Sequence, residues 1–277
     1  MEALACPICH HHEYKSLYSL DAGKLMTCGT CHIVFFSPMP TPEELKDFYS
    51  DGYHDEYSQS TMASLPFDRN RYQLLEGLID NFHPSLLMKS NRTLLDVGCG
   101  VGGFLGVAQQ AGWTVTGTEL TDDAVEKARG KLGDCVLEGD ISNLSFSQTY
   151  DLITNYHVIE HLLDPVKMLQ TCYRLLSPQG VLFVETPNIK SLGARIRGAK
   201  WSHIIPPEHI VYFSPGSIRY ALHKAGFDRV IVLTSAPQVI ESIQAWPSSL
   251  KKLVTFLYSL APKARMGAAV QAIAFKD

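Results

Sequence analysis

Leu94-Leu95-Asp96-Val97-Gly98-Cys99-Gly100-Val101-Gly102-Gly103-Phe104-Leu105 runs from an apolar strand through a glycine loop into a helix. The pattern D-x-G-x-G-x-G lets the backbone turn tightly and come close to a ligand, because glycine has no Cβ and accepts positive φ. Alone, such a loop fits a dinucleotide, another nucleotide or no ligand. The chain around it decides the fold. Strands are expected at Arg92–Val97, Thr114–Glu119, Cys135–Glu138, Tyr150–Asn155, Gly180–Thr186, Arg229–Thr234 and Ala268–Phe275. Helices are expected at Gly102–Ala111, Thr121–Leu132 (capped by Thr121), Pro165–Leu176 and Pro215–Ala225. Repeated β-α units predict an α/β domain over 91–277, with a mostly parallel sheet and helices on both faces. Ligands of such sheets sit at the carboxyl ends of the strands.

Acidic residues fall at those ends. Glu119 closes the second strand, 17 residues after Gly102, where a carboxylate can accept hydrogen bonds from both hydroxyls of a ribose. Asp140, after the third strand, can accept an exocyclic amine, with Leu120 and Ile141 as apolar faces for an adenine. The fourth strand leads into Asn155-Tyr156-His157-Val158-Ile159-Glu160-His161-Leu162.

In these segments the chain resembles the class I S-adenosylmethionine-dependent methyltransferases, specifically small-molecule enzymes with an E-H-L segment after the fourth strand. LLDVGCGVGGFL, VTGTEL, LEGDI, YDLITNYHVIEHLLDP, GVLFVETPN and PPEHIVYFSPGSIRYALHKAGF occur in family order over roughly residues 90–235. The resemblance implies a Rossmann-like, seven-stranded sheet whose last strand is antiparallel, and S-adenosylmethionine as cofactor. Asp96, Gly98, Cys99, Gly100 and Gly102 would form the cofactor loop. Glu119 would hold the ribose, Leu120, Asp140 and Ile141 the adenine, and Asn155 would lie by the methionine end.

Residues 1–40 have a different character. Cys6-Pro7-Ile8-Cys9 and Cys28-Gly29-Thr30-Cys31 make C-x2-C-x18-C-x2-C, the spacing of a four-thiolate zinc ribbon. Each short turn offers two soft ligands to a tetrahedral ion, and a segment this short needs the metal for folding energy. With four thiolates closing the shell, His10, His11, His12 and His32 are expected to be exposed neighbours. A four-cysteine module ahead of such a domain is similar to sugar C-methyltransferases that act on nucleotide-linked deoxysugars. Residues 41–90 read as a helical connector able to lid the cofactor. Thr41-Pro42-Glu43-Glu44 starts one helix, and Tyr72, Leu75, Leu78, Ile79 and Phe82 mark another that Pro84 stops.

Methyl transfer from a sulfonium is an in-line displacement that rests on alignment. A base helps when the acceptor is a hydroxyl or a carbon acid. His157, His209 and His161 follow the fourth and fifth strands and are the candidates for base or substrate clamp, with Tyr53 and Tyr57 as alternatives. If helical, His157, Glu160 and His161 share a face at i, i+3 and i+4. Glu160 and His161 can then tie the segment to a neighbouring loop. The segment also resembles an E-x-x-E-H pattern that binds a divalent cation, with His157 in place of the first Glu and His209 as a further ligand. The stretch Asn188–Glu208 carries Lys190, Arg195, Arg197, Lys200, Trp201 and His203, and reads either as a lid for an anionic substrate or as a solvated loop. Residues 237–266, with Leu250, Leu253, Val254, Leu257 and Leu260 at helical spacing, read as an inserted helix that packs on the core or on the second copy of a homodimer.

Composition narrows the alternatives. Charge is −4, with 24 basic and 28 acidic residues, so no global pull toward nucleic acid or anionic lipid exists. No apolar run approaches the roughly 20 residues of a membrane span. With no secretory leader and seven cysteines, four of them paired by spacing, the expected setting is reducing and cytoplasmic. The expected partner is a small-molecule methyl acceptor. An RNA base methyltransferase needs a basic face, yet the first 40 residues carry only Lys15 and Lys24 against Glu2, Glu13 and Asp21. A non-catalytic zinc-ribbon adaptor does not need an intact cofactor loop. A dehydrogenase has no use for the YDLI…EHL segment.

Overall fold

The computed structural model describes residues 5–50, 65–235 and 260–277. Tyr53, Tyr57 and most of the expected 237–266 helix, including Leu250, Leu253, Val254 and Leu257, lie outside the described residues. Near the N-terminus, strands β1 (Tyr14–Leu20), β2 (Gly23–Cys28) and β3 (Val34–Ser37) form an antiparallel meander. Helix α1 (Pro42–Ser50) begins with a capping box. The Glu44 amide donates to Thr41 Oγ1 at 3.2 Å, and the Thr41 amide donates to Glu44 Oε2 at 2.7 Å. Helix α2 (Leu65–Phe82) buries Asp68, Tyr72, Leu75 and Ile79 along one stripe. The short helix α3 (Pro84–Leu87) follows.

The main domain then alternates as β4 (Thr93–Val97), α4 (Gly103–Gln110), β5 (Thr114–Glu119), α5 (Asp122–Leu132), β6 (Val136–Glu138) and β7 (Tyr150–Tyr156). It continues as α6 (Pro165–Leu175), β8 (Leu176–Pro187), α7 (Leu192–Arg197), β9 (Val211–Tyr212), α8 (Pro215–Lys224), β10 (Arg229–Ser235) and β11 (Ala269–Phe275). Thr121 occupies the cap position of α5, but its hydroxyl bonds Glu119 instead of the helix backbone.

Seven strands form one sheet in the order β10-β11-β8-β7-β4-β5-β6. β4 through β8 pair in parallel, while β11 runs antiparallel to both β8 and β10. This is the expected Rossmann-like sheet with its last strand reversed. Period-2 alternation divides the core. Leu94, Leu152, Val181 and Phe183 face α2, α4 and α5 on one side. Leu95, Ile153, Leu182 and Val184 face α6 and α8 on the other. The strand order reverses between β4 and β7, which opens a crevice at their carboxyl ends.

Pairing in the N-terminal sheet reaches beyond residue 40. β9 joins β3, with Val34 opposite Tyr212 and Phe35 opposite Val211, so its fourth strand comes from far along the chain. Cys6, Ile8 and Phe35 belong to the same apolar cluster as Leu95, Ile153 and Leu222. The segment after β8 is neither an open lid nor a solvated loop. α7 and a following turn bring Trp201 into a cluster with Leu25, Val34, Phe36, Ala194 and Tyr212, where it is 5% exposed.

At the amino ends of β4 and β7, Asp151 joins the two strands. Its Oδ2 accepts from the Thr93 amide at 3.0 Å and hydroxyl at 3.2 Å, and its Oδ1 accepts from Lys89 Nζ at 2.7 Å. Asp151→Ala leaves the Thr93 amide without its acceptor and is expected to lower stability by about 1–3 kcal/mol. Urea unfolding checks this as a shifted midpoint at unchanged slope.

Candidate functional site

The glycine loop alternates handedness for a local reason. Gly98, Gly100 and Gly102 have φ of 70°, 52° and 76°. A Cβ at Gly98 would lie 2.4 Å from Val158 Cγ2, and one at Gly102 would lie 2.8 Å from Leu132 Cδ1. At Gly100 a Cβ would meet nothing within 4 Å, so this residue marks the open side of the loop. The amides of Gly98 and Cys99 donate to the Thr118 carbonyl at 2.8 and 3.0 Å, which fastens the loop to the end of β5.

The strand register places the proposed cofactor residues along one carboxyl edge. Val97 pairs with Thr118 on β5 and with Asn155 on β7, and Glu119 pairs with Glu138 on β6. Glu119 Oε2 accepts from the Gly100 amide at 3.0 Å. Its Oε1 accepts from the amides of Leu120 and Thr121 and from the Thr121 hydroxyl, at 2.8 to 3.2 Å. Asp96 is buried, and burial pushes its carboxyl up to about 7 against the opposing hydrogen bond from Thr154 Oγ1 at 2.7 Å. Asp140 is exposed and accepts from the Ser142 amide at 2.8 Å, Ile141 is buried beside it, and Leu120 is 55% exposed.

Some buried polar atoms have no hydrogen-bond partner among the described residues: Asn155 Nδ2 and Oδ1, Tyr156 OH and Arg71 Nε. Arg71 comes from α2, outside the residues that the loop motif singles out. Its guanidinium lies 4.7 Å from the Phe67 ring and 4.3 Å from the Tyr156 ring. Buried polar groups are nearly always satisfied, so these orphans mark places where a polar ligand can complete the structure: Arg71 and Tyr156 together on the α2 side of the sheet, and Asn155, the preceding residue of β7, on its other face. A positive residue on a helix of the connector has no local signature in the sequence. The aromatic residues stacked against it are the only hint.

The helix that would put His157, Glu160 and His161 on one face does not form. His157 takes a left-handed φ of 54° as the chain leaves β7, its amide donating to the Glu185 carbonyl at 2.9 Å, and only Ile159–His161 make a short 3-10 turn. The histidines therefore separate into two environments around Glu160. On one side, His157 sits between two buried carboxylates, with Nδ1 3.3 Å from Glu160 Oε1 and Nε2 3.5 Å from Glu185 Oε1. Burial opposes the charged ring, but the two carboxylates outweigh it and hold His157 up at about 9. Burial likewise opposes ionisation of Glu160, yet His157 holds it down at about 2. Thr186 Oγ1 donates to Glu160 Oε2 at 2.9 Å, and Gln271 Nε2 donates to Glu185 Oε2 at 2.6 Å.

On the other side stand His161 and His209, with ring centroids 4.8 Å apart. His161 Nδ1–H donates to the Glu208 carbonyl and His209 Nδ1–H to the His203 carbonyl, both at 2.9 Å. A carbonyl can only accept, so each bond makes Nε2 the lone-pair nitrogen of a neutral ring. Burial holds His161 below its ordinary value and takes His203 down to about 4. One donor atom each from Glu160, His161 and His209 lies within 4.8 Å of the others, a donor set that a base or a divalent cation can use.

The four cysteines of the N-terminal module also converge, with all four sulfurs within 4.8 Å of one another. Cys6 Sγ lies 3.5 Å from Cys31 Sγ, and Cys9 Sγ 3.4 Å from Cys28 Sγ. Ligands about 2.3 Å from a tetrahedral zinc are about 3.8 Å apart, so this spacing suits the ion. The Thr30 amide points at Cys28 Sγ from 3.4 Å.

An α/β sheet with a glycine loop and acids along its carboxyl edge defines the class of protein. The chain belongs to the methyltransferase domain family, which matches residues 67–232. It is similar to the ubiquinone biosynthesis O-methyltransferase of Actinobacillus pleuropneumoniae, 38% identical over 124 residues, covering 40% of this chain and 53% of that one. The protein of the same name from Nitrosomonas europaea is 30% identical over 151 residues, covering 50% of this chain and 64% of that one. The chain thus spans about half to two thirds of the length of these relatives. Among solved structures, a SAM-dependent methyltransferase from Archaeoglobus fulgidus matches with a TM-score of 0.57 at 21% identity, covering 81% of this chain and all of that one (100%). Magnesium protoporphyrin IX methyltransferase from Synechocystis PCC 6803, with bound SAH, also gives 0.57, at 16% identity, covering 86% and 100%. These two likenesses concern the fold.

The state of His157 sets a pH dependence. Its proton is held to about 9 against an ordinary 6.5, so its stabilising effect is complete below pH 6.5 and fades as pH rises through 9. Glu160, held at about 2 against 4.5, contributes stability that is present above pH 4.5 and lost as pH falls toward 2. His203, held at about 4, acts below the alkaline window. His157→Gln is expected to flatten the decline in stability between pH 6.5 and 9, read from urea midpoints across that range.

Proposed function

We propose that this chain is an S-adenosylmethionine-dependent methyltransferase that acts on a small molecule bearing a hydroxyl or an activated carbon. The observation that carries the reading is the glycine loop fastened to the end of β5, open at Gly100 and bonded there to Glu119, with orphaned polar atoms on Arg71, Asn155 and Tyr156 at and near the end of the adjoining strand β7. Arg71 and Asn155 suit the carboxylate and ammonium of an amino-acid moiety. Glu119 suits a ribose diol. Its oxygens already accept four protein donors, so a diol has to displace one, and the Thr121 hydroxyl, which can rotate to another acceptor, yields most easily. Asp140, Ile141 and Leu120 suit an adenine.

When bound, the cofactor supplies a methyl group on a sulfonium that leaves as a neutral thioether. The chain has to align the acceptor and take its proton. His157 is already protonated and acts as a clamp. The base is then His209 or His161, because with Nδ1–H committed to a carbonyl the neutral tautomer of each carries its lone pair on Nε2. Relatives named as O-methyltransferases favour a hydroxyl acceptor, while the four-cysteine module favours a sugar or secondary-metabolite intermediate. The four thiolates suit one structural zinc and a reducing, cytoplasmic setting. No helix among the described residues is long and apolar enough to cross a membrane.

Calorimetry with S-adenosylhomocysteine tests the cofactor reading before any acceptor is known. Charged hydrogen bonds are worth about 1.5–3 kcal/mol each, so Glu119→Ala and Arg71→Met should each weaken binding about tenfold or more while the fold is retained. Unchanged affinity in both variants rejects the assignment. Elemental analysis should find one zinc per chain, lost together with Cys6 and Cys31 when both are changed to Ser.

A further inference from the structure

We propose that the four-cysteine module is the wall of the acceptor site that positions His209, and that Tyr212 is the residue through which it does so. The inference rests on the methyl-transfer reading for what His209 does, but not for what holds it in place. The segment carrying His203 and His209 is rooted at both ends in the N-terminal sheet. At one end, Trp201 is buried among Leu25, Val34 and Phe36, and its ring centroid is 4.9 Å from that of His203. At the other end, Tyr212 pairs with Val34 as part of β9, and the Phe36 amide donates to the Ile210 carbonyl at 2.8 Å.

Between these anchors, His209 is gripped by groups that depend on them. Its Nδ1–H donates to the His203 carbonyl, and the two rings stack at 5.9 Å with planes 3° apart. The Tyr212 hydroxyl donates to the His209 carbonyl at 2.7 Å, and the Tyr212 ring meets the His209 ring at 6.4 Å and 70°. Within the segment the His209 amide donates to the Ile205 carbonyl at 3.3 Å; from the main domain come the His161 ring and, at the next residue, Glu160, whose carbonyl accepts from the Ile210 amide at 3.0 Å.

The path from thiolate to imidazole is short. Cys28 ends β2, its amide donates to the Ile33 carbonyl at 2.9 Å, and β3 starts at Val34, the residue paired with Tyr212. The other knuckle is fastened to α8, where Lys224 Nζ donates to the Ile8 carbonyl at 2.6 Å. Strands this short are marginal without closure. A metal clamping both knuckles therefore fixes β3, β3 fixes β9, and β9 fixes the ring. Transfer of a proton needs heavy atoms within about 3 Å, so slack in this path costs turnover. The cofactor residues lie along β6-β5-β4-β7, and none of the hydrogen bonds described above for them runs through β3 or β9.

The test uses the full, metal-loaded chain with isotope-labelled histidines and needs no acceptor. His209→Gln assigns the His209 imidazole resonances. Removing the metal with a chelator should then move the His209 and His203 signals, while affinity for S-adenosylhomocysteine stays within about twofold, as expected for separate sites. Tyr212→Phe should move the His209 signals with metal content and cofactor affinity unchanged, and turnover, once an acceptor is found, should fall in kcat and not in cofactor KM. If metal removal unfolds the chain, the Tyr212→Phe arm decides. His209 signals that stay fixed in Tyr212→Phe, or in folded metal-free protein, overturn the proposal, and so does a chain that is folded and metal-free as purified. Failure of the methyl-transfer reading shows differently: the unmodified chain would not bind S-adenosylhomocysteine, while the His209 signals would still respond.

Discussion

A carboxylate shut away from water at the seam of two sheets has to be met on every side, and Glu160 is that carboxylate. It is 1% exposed. Leaving such a charge without partners costs several kcal/mol, so the surroundings are arranged to answer it. His157 supplies the opposite charge and Thr186 Oγ1 a neutral donor, while the backbone carbonyl of the same residue separately accepts from the Ile210 amide on the way to β9. Glu185, paired with the same His157, is fixed from β11 by Gln271. Glu160, Glu185 and the His157 between them thus tie the ends of β7 and β8 to the reversed strand β11, and the Glu160 backbone carries the link on to the edge of the N-terminal sheet.

That dependence explains which features were legible from the residues. The sheet was readable because its signal is local. Alternation in Leu94-Leu95 and Val181-Leu182-Phe183-Val184 gives the strands and their two buried faces. Helix patterns in between force parallel crossovers, and the glycines of the loop mark where the chain must turn. Strand ends fell within a few residues of the expected ones, the largest difference being β8, which starts at Leu176 instead of Gly180. The seven-stranded order with a reversed last strand came from family resemblance, not from spacing.

The site was less legible where it depends on contacts between distant segments. Cysteine spacing shows that four thiols can meet, but nothing in residues 1–40 shows that Val34 pairs with Tyr212. β9 is two residues long, too short to carry a periodic pattern. Trp201 looked like a loop residue because the surface that buries it belongs to another part of the chain. Glu185 read as part of a strand, although its side chain is half of the clamp on His157. Arg71 lies in a helix whose apolar stripe is its evident feature. The shared face that a helix at His157–His161 would give is absent for a related reason. Spacing of i, i+3 and i+4 says which residues would share a face, but the amide of His157 is claimed by the Glu185 carbonyl, and that bond turns the chain out of helical geometry.

The same buried carboxylate separates the histidines by proton state. Four imidazoles share this corner: His157 and His161 flank Glu160 in the chain, His209 meets the His161 ring, and His203 meets the His209 ring. His157 faces two carboxylates and keeps its proton to about 9. His203, half-buried and stacked on His209, is held by desolvation at about 4. His161 and His209 each commit Nδ1–H to a carbonyl, which keeps the basic nitrogen on the other side of the ring. A site that must both orient an acceptor and remove its proton needs a standing cation and a standing lone pair at one pH. Groups whose surroundings push their pKa values apart provide that pair. Here the separation follows from geometry: His157 alone lies between Glu160 and Glu185, and the backbone carbonyls of Glu208 and His203 set the tautomers of the other two.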